Sequence, residues 1–170
     1  WEYPTSDEAG IKARPEDKEN FTALMKGLRV AMNELDRPLT LTFAAAGWKG
    51  YFNYIELQKV MPLVDYINLM TYDQAGGENQ FTAHHTALGK RTLDDLKDTP
   101  LGKQMIKQNS ELEEGEMAWE PQSVESIVEF CLQQGVPAEK IVVGAAFYGK
   151  GWKGVDPVDN GLFQPNKGGT

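Results

Sequence analysis

The nine residues 65–73, Asp-Tyr-Ile-Asn-Leu-Met-Thr-Tyr-Asp, constrain the fold more than any other stretch of this chain. Side chains alternate along a strand, so Tyr66, Asn68, Met70 and Tyr72 share one face and Ile67, Leu69 and Thr71 the other. Neither face is made for water alone. A strand covered on both sides belongs to a parallel sheet flanked by helices, and ligands bind outside the carboxyl ends of such strands. The end here is Tyr72-Asp73, a phenol that can donate to a carbonyl beside a carboxylate that can hold charge.

The flanking sequence supplies partners for this strand. Trp1-Glu2-Tyr3-Pro4 reads as the last residues of another strand, closed by proline. Phe21, Leu24, Met25, Leu28, Met32 and Leu35 recur at three and four, which predicts an amphipathic helix over 14–36 with Pro15 in its first turn. Residues 39–46 predict a strand whose terminal alanines leave space, 54–63 a helix, 122–134 a helix closed by Gly135, and 141–148 a third complete strand. The long connection 74–121 is expected to contain a short helix near 93–106, because a structureless loop of that length is improbable in a compact domain. Residues 149–170 read as loop or as the start of an insertion. Repeated strand–helix units mean α/β with a parallel sheet, and polar or aromatic groups at several successive strand ends favour a barrel mouth over a single crevice.

Composition narrows the function. With 25 acidic against 17 basic residues and a net charge of −8, the chain is not built for a phosphate backbone or an anionic membrane, so no nucleic acid and no membrane are expected as partners. The single cysteine, Cys131, lies among apolar helical neighbours and is expected to be buried filler. No glycine-rich dinucleotide fingerprint follows any strand, and no nucleophile shows a base-and-orienter pattern. His84 and His85 are adjacent and diverge in regular structure with no third ligand at metal spacing, so neither a metal nor another cofactor is expected. Glu2, at a strand end between two aromatics, is expected to be partly desolvated, which favours the protonated form and suits a proton donor.

Three separated segments are specific. Trp1-Glu2-Tyr3-Pro4, Met70-Thr71-Tyr72-Asp73 and the run from Val143 to Trp152 resemble, in the same order, the D-x-x-D-x-D-W-E-x-P signature, the M-x-Y-D strand end and the G-x-P-x-Y-G-R-x-W segment of glycoside hydrolase family 18, the chitinase family. The resemblance implies part of a (β/α)8 barrel, from the end of strand four through strand seven over 1–149, with the start of an insertion subdomain over 150–170. It implies a secreted or periplasmic enzyme that cleaves β-1,4-linked N-acetylglucosamine polymers with retention, the substrate's own acetamido carbonyl acting as nucleophile. By position, Glu2 matches the general acid, Tyr72 the hydroxyl that holds the acetamide and Asp73 the adjacent carboxylate. Tyr3, Met70, Tyr148, Lys150 and Trp152 match residues lining the substrate groove. The partner implied is chitin or a chito-oligosaccharide, and the remaining portion of the barrel is expected to complete the fold. Lys150 stands where the family usually has arginine and Ala146 where it usually has proline. The alternatives on the same fold are a non-catalytic chitinase-like carbohydrate-binding protein, against which the retained Glu2 speaks, and an endo-β-N-acetylglucosaminidase acting on N-glycans.

Overall fold

A computed structural model describes residues 2–4, 12–77 and 79–169. Trp1, the head of the first motif, lies outside the described residues. The chain is α/β, as expected, with α1 (Asp17–Asn33), β1 (Thr42–Ala46), α2 (Leu57–Val60), β2 (Tyr66–Met70), α3 (Leu93–Leu96), α4 (Pro100–Ser110), α5 (Val124–Gln133) and β3 (Ile141–Val143). Two compact units share these elements, Trp1–Met70 with Ile127–Gly144, and Thr71–Ser126 with Ala145–Thr170.

The first unit holds the sheet, a parallel array in the order β1-β2-β3. Ile67 pairs with Phe43 on one side and Ile141 on the other. Phe21 and Met25 of α1, Leu57 and Val60 of α2, and Ile127 and Cys131 of α5 join Ile67 and Leu69 in one buried cluster, with Leu69 at 0% exposure. Helical periodicity accounts for this layer, because the buried residues of α1 and α5 fall four apart. Cys131 is buried as expected, and burial pushes its thiol up to about 11.

The other sheet face differs from the expectation of a strand covered on both sides. Thr42, Ala44 and Tyr66 are exposed there, Tyr66 at 42%, because no helix among the described residues supplies a second apolar layer. The strands are also shorter than their sequence patterns suggest. Gly144 donates its N–H to the Leu69 carbonyl, 2.9 Å away, and beyond that rung β3 no longer follows β2. Glu2 and Tyr3 lie outside any strand, so the expected strand end at the first motif is absent from the described residues.

Asp65 anchors the start of β2. Its Oδ2 accepts from the Leu41 N–H at 2.7 Å and from Arg29 Nη2 at 2.6 Å, while Arg29 Nε donates to the Leu63 carbonyl at 2.7 Å. The Leu41 N–H and the arginine hold the carboxyl below its ordinary range.

In the second unit, the helix expected near 93–106 is two helices. Thr99 caps α4 by accepting from the Gly102 N–H at 3.0 Å, and Pro100, which has no N–H to continue α3, starts the new helix. Gly102 packs against the Leu96 carbonyl so closely that any Cβ would collide. Residues 149–169 fold back onto 79–82: Phe81 bridges Pro165 antiparallel, and the Thr82 N–H donates to the Gln164 carbonyl at 2.9 Å.

Candidate active site

The chain leaves β2 at Met70, and three residues later Asp73 adopts φ +56°, a left-handed conformation that aspartate tolerates better than most residues. Such a backbone at a strand end is sustained only if its surroundings hold it. Here the side chain is held. Lys150 Nζ lies 2.7 Å from Asp73 Oδ1, and the Tyr148 hydroxyl donates to the same carboxylate. The Lys150 ammonium and the Tyr148 hydroxyl outweigh the partial burial of Asp73 and keep its carboxyl below the ordinary range. Burial, with Asp73 as hydrogen-bond acceptor, pushes the Tyr148 phenol up to about 12.

The aromatic groups around this pair are ordered. Tyr72 meets Tyr148 edge-on at 6.2 Å between ring centroids, and Lys150 Nζ lies 5.4 Å from the Tyr148 centroid. The Tyr72 hydroxyl has no hydrogen-bond partner among the described residues, which leaves it able to donate to a ligand carbonyl. His85 was not singled out by its sequence context beyond the question of a metal. Its ring lies 5.3 Å from that of Tyr148, and its Nε2 is 3.2 Å from the Tyr148 carbonyl oxygen. Only the folding of the loop that carries His85 against residues after β3 reveals this contact, for no pattern of spacing marks it.

Trp152 is half-buried and donates its indole N–H to the Gly76 carbonyl at 2.9 Å, tying it to the same loop. Thus Tyr72, Asp73, Tyr148 and Lys150 form one cluster, with Trp152 bound to the loop that leaves it.

Glu2, Tyr3 and Met70 belong to the first unit. Glu2 is exposed, so the desolvation expected from its aromatic neighbours is absent among the described residues. Tyr3 stacks on Trp48 at 6.3 Å with an interplanar angle of 17° and meets Tyr51 edge-on at 6.4 Å. Burial, then Tyr3 and Glu2, push the Tyr51 phenol well above its usual range, and its buried hydroxyl has no partner among the described residues. Tyr51 and Trp48 were missed because residues 49–54 form a 3-10 turn, whose period gives no helical or strand signature. Met70 is half-buried at the end of β2, on the open sheet face with Tyr66 and Asn68.

The family model described as Glycosyl hydrolases family 18 matches residues 1–169. Chitinase A1 of Niallia circulans is 31% identical over 175 residues, covering 100% of this chain and 23% of that protein. Chitinase B of Serratia marcescens is 30% identical over 188 residues, covering 96% of this chain and 33% of its own length. A solved family 18 N-acetylglucosaminidase from Paenibacillus barengoltzii superposes with a TM-score of 0.76 at 36% identity, covering 99% of this chain and 44% of that one. The chain therefore spans less than half the length of the relatives it matches. It belongs to glycosyl hydrolases family 18.

Proposed function

We propose that this chain is part of a secreted, retaining glycosidase that cleaves β-1,4-linked N-acetylglucosamine polymers by substrate assistance, and that it corresponds to the portion of a (β/α)8 barrel from the end of strand four through strand seven. The observation that carries the reading is the Asp73 cluster: a carboxylate kept charged by Lys150 and Tyr148, next to a Tyr72 hydroxyl free to meet a ligand carbonyl. The exposed face of the sheet, with Ala44 beside Asn68, suits closure by further strands of such a barrel.

In this reading Tyr72 donates its hydroxyl proton in a hydrogen bond to the substrate's acetamido carbonyl, orienting that oxygen toward the anomeric carbon. Glu2 gives its proton to the glycosidic oxygen. The carbonyl oxygen bonds to the anomeric carbon as the glycosidic bond breaks, which yields a leaving sugar hydroxyl and a cyclic oxazolinium. Asp73, anionic, places its negative charge beside the same sugar, where positive charge develops in the transition state. Water then opens the ring from the same face, returning its proton to Glu2, so the β configuration is kept.

The test is Glu2→Gln in the intact protein, with chito-oligosaccharide hydrolysis followed by proton NMR of the first-formed anomer. Turnover is expected to fall by about a hundredfold or more, in line with loss of a general acid, and the native product is expected to be the β anomer. Undiminished turnover would remove Glu2 from the mechanism, and an α product would remove substrate assistance.

A further inference from the structure

The second unit contains a cavity of about 400 Å³ that the Asp73 cluster does not use. Gln74, one residue beyond Asp73, lines it, and α4 and the segment around Trp119 supply other parts of its wall. Two features distinguish it from a packing defect.

The first is how Trp119 is held. Asn109, at the end of α4, accepts from the Trp119 N–H at 2.7 Å and donates through Nδ2 to the Trp119 carbonyl at 2.9 Å. One side-chain amide thus pins both backbone groups of a single residue, as a neighbouring strand would. Trp119 itself is nevertheless 55% exposed where it lines the cavity. An indole fixed at its backbone and left open on one side offers a flat apolar surface at little further cost in ordering.

The second is the chemistry of the wall. Gln104 and Gln108 lie four apart and so face the cavity from one side of α4, and Gln122 adds a third amide. None of these side-chain amides has a hydrogen-bond partner among the described residues. Each offers both donors and an acceptor without charge. The charged groups of the wall, Arg91 and Glu120, are of opposite sign, and Arg91 lies over the Phe163 ring at 5.7 Å. The cavity therefore suits a neutral ligand with an apolar face and many hydroxyl or amide groups at its edge, which is the chemistry of a pyranose ring.

We propose that this cavity is a second saccharide site, in which Trp119 stacks on a ring of the polymer and Gln104, Gln108 and Gln122 hydrogen-bond its hydroxyl and acetamido groups. The identity of the sugar as N-acetylglucosamine rests on the function proposed above. The site binds and carries out no chemistry, so its loss weakens the hold on long chains more than on short ones.

The experiment is a proton–nitrogen NMR titration of the intact protein with a sulfur-linked tetramer of N-acetylglucosamine, which resists hydrolysis, beside an assay of hydrolysis on the oxygen-linked tetramer. Saturable shifts are expected at the Trp119 indole and at the side-chain amides of Gln104 and Gln108. Trp119→Ala, at an exposed position that Asn109 holds only by its backbone atoms, is expected to weaken binding about tenfold, the scale of an aromatic anchor, and to leave the circular dichroism unchanged. Gln108→Leu is expected to weaken it in the same direction. Hydrolysis with no shift at Trp119 overturns this site and leaves the proposed function standing. Shifts at Trp119 without hydrolysis support the site and overturn the function, and absence of both overturns the two together.

Discussion

Lys150 Nζ sits 2.7 Å from Asp73 Oδ1, so two residues that follow different strands of the sheet share one charge pair. The pair fixes the ionisation of Asp73, and the hydroxyl of Tyr148 completes its coordination. The lysine was expected to touch substrate directly. In the function proposed above, its contact with Asp73 makes it a positioning residue as well, a role that arginine, with a planar fork, would fill by a different geometry.

Lys150→Met is therefore expected to lower kcat/KM on chito-oligosaccharides by about tenfold, near the lower end for a charge-assisted hydrogen bond because Asp73 is half open to solvent. Lys150→Arg is expected to retain most of the activity. Equal losses in the two variants would show that the shape of lysine matters and its charge does not.

The pH dependence follows from the direction of the Asp73 shift. A carboxyl whose folded value is lowered contributes stability that is present above its unfolded value, about 3.9, and is lost as pH falls through the lower folded value. Activity that needs Asp73 as an anion is thus expected to extend to lower pH than an unperturbed carboxyl would allow. In Lys150→Met the acid limb is expected to move upward. Carboxyl carbon NMR titration of Asp73 in both proteins measures the shift, and an unchanged midpoint would contradict the assigned cause.

Tyr72→Phe retains the edge-on contact with Tyr148 and removes only the hydroxyl. Stability in urea is expected to change by less than about 0.5 kcal/mol, since that hydroxyl has no partner among the described residues to lose. Turnover of acetamido substrates is expected to fall at least tenfold, equivalent to about 1.4 kcal/mol. A stability loss equal to the loss in transition-state binding would mark the hydroxyl as structural.

Leu69→Ala tests the sheet itself. The side chain is 0% exposed in the central strand, and removing it is expected to cost about 2–5 kcal/mol. Val143→Ala, at 46% exposure on β3, is expected to cost under about 1 kcal/mol. Urea denaturation of the two variants gives the comparison, and similar midpoints would mean that the layer of α1, α2 and α5 does not pack as described.

Much of the fold is legible in the sequence. Periodicity is local, so the apolar residues of α1 and α5 and the alternation in β2 announce helix and strand directly, and the burial of Cys131 follows from its place on α5. The chemistry-bearing strand end was legible too, since Tyr72-Asp73 follows the central strand in sequence. Other features depended on which segments meet. The lengths of β2 and β3 are set by where their mutual rungs stop, and the exposure of Tyr66 by the layer that covers only the opposite face. Lys150 at Asp73, His85 at Tyr148 and Asn109 at Trp119 are contacts between segments whose spacing in sequence carries no period. Short-range sterics and hydrophobic alternation select each element from its own residues, whereas ion pairs, ring contacts and side-chain clamps exist only once the backbone has folded back on itself.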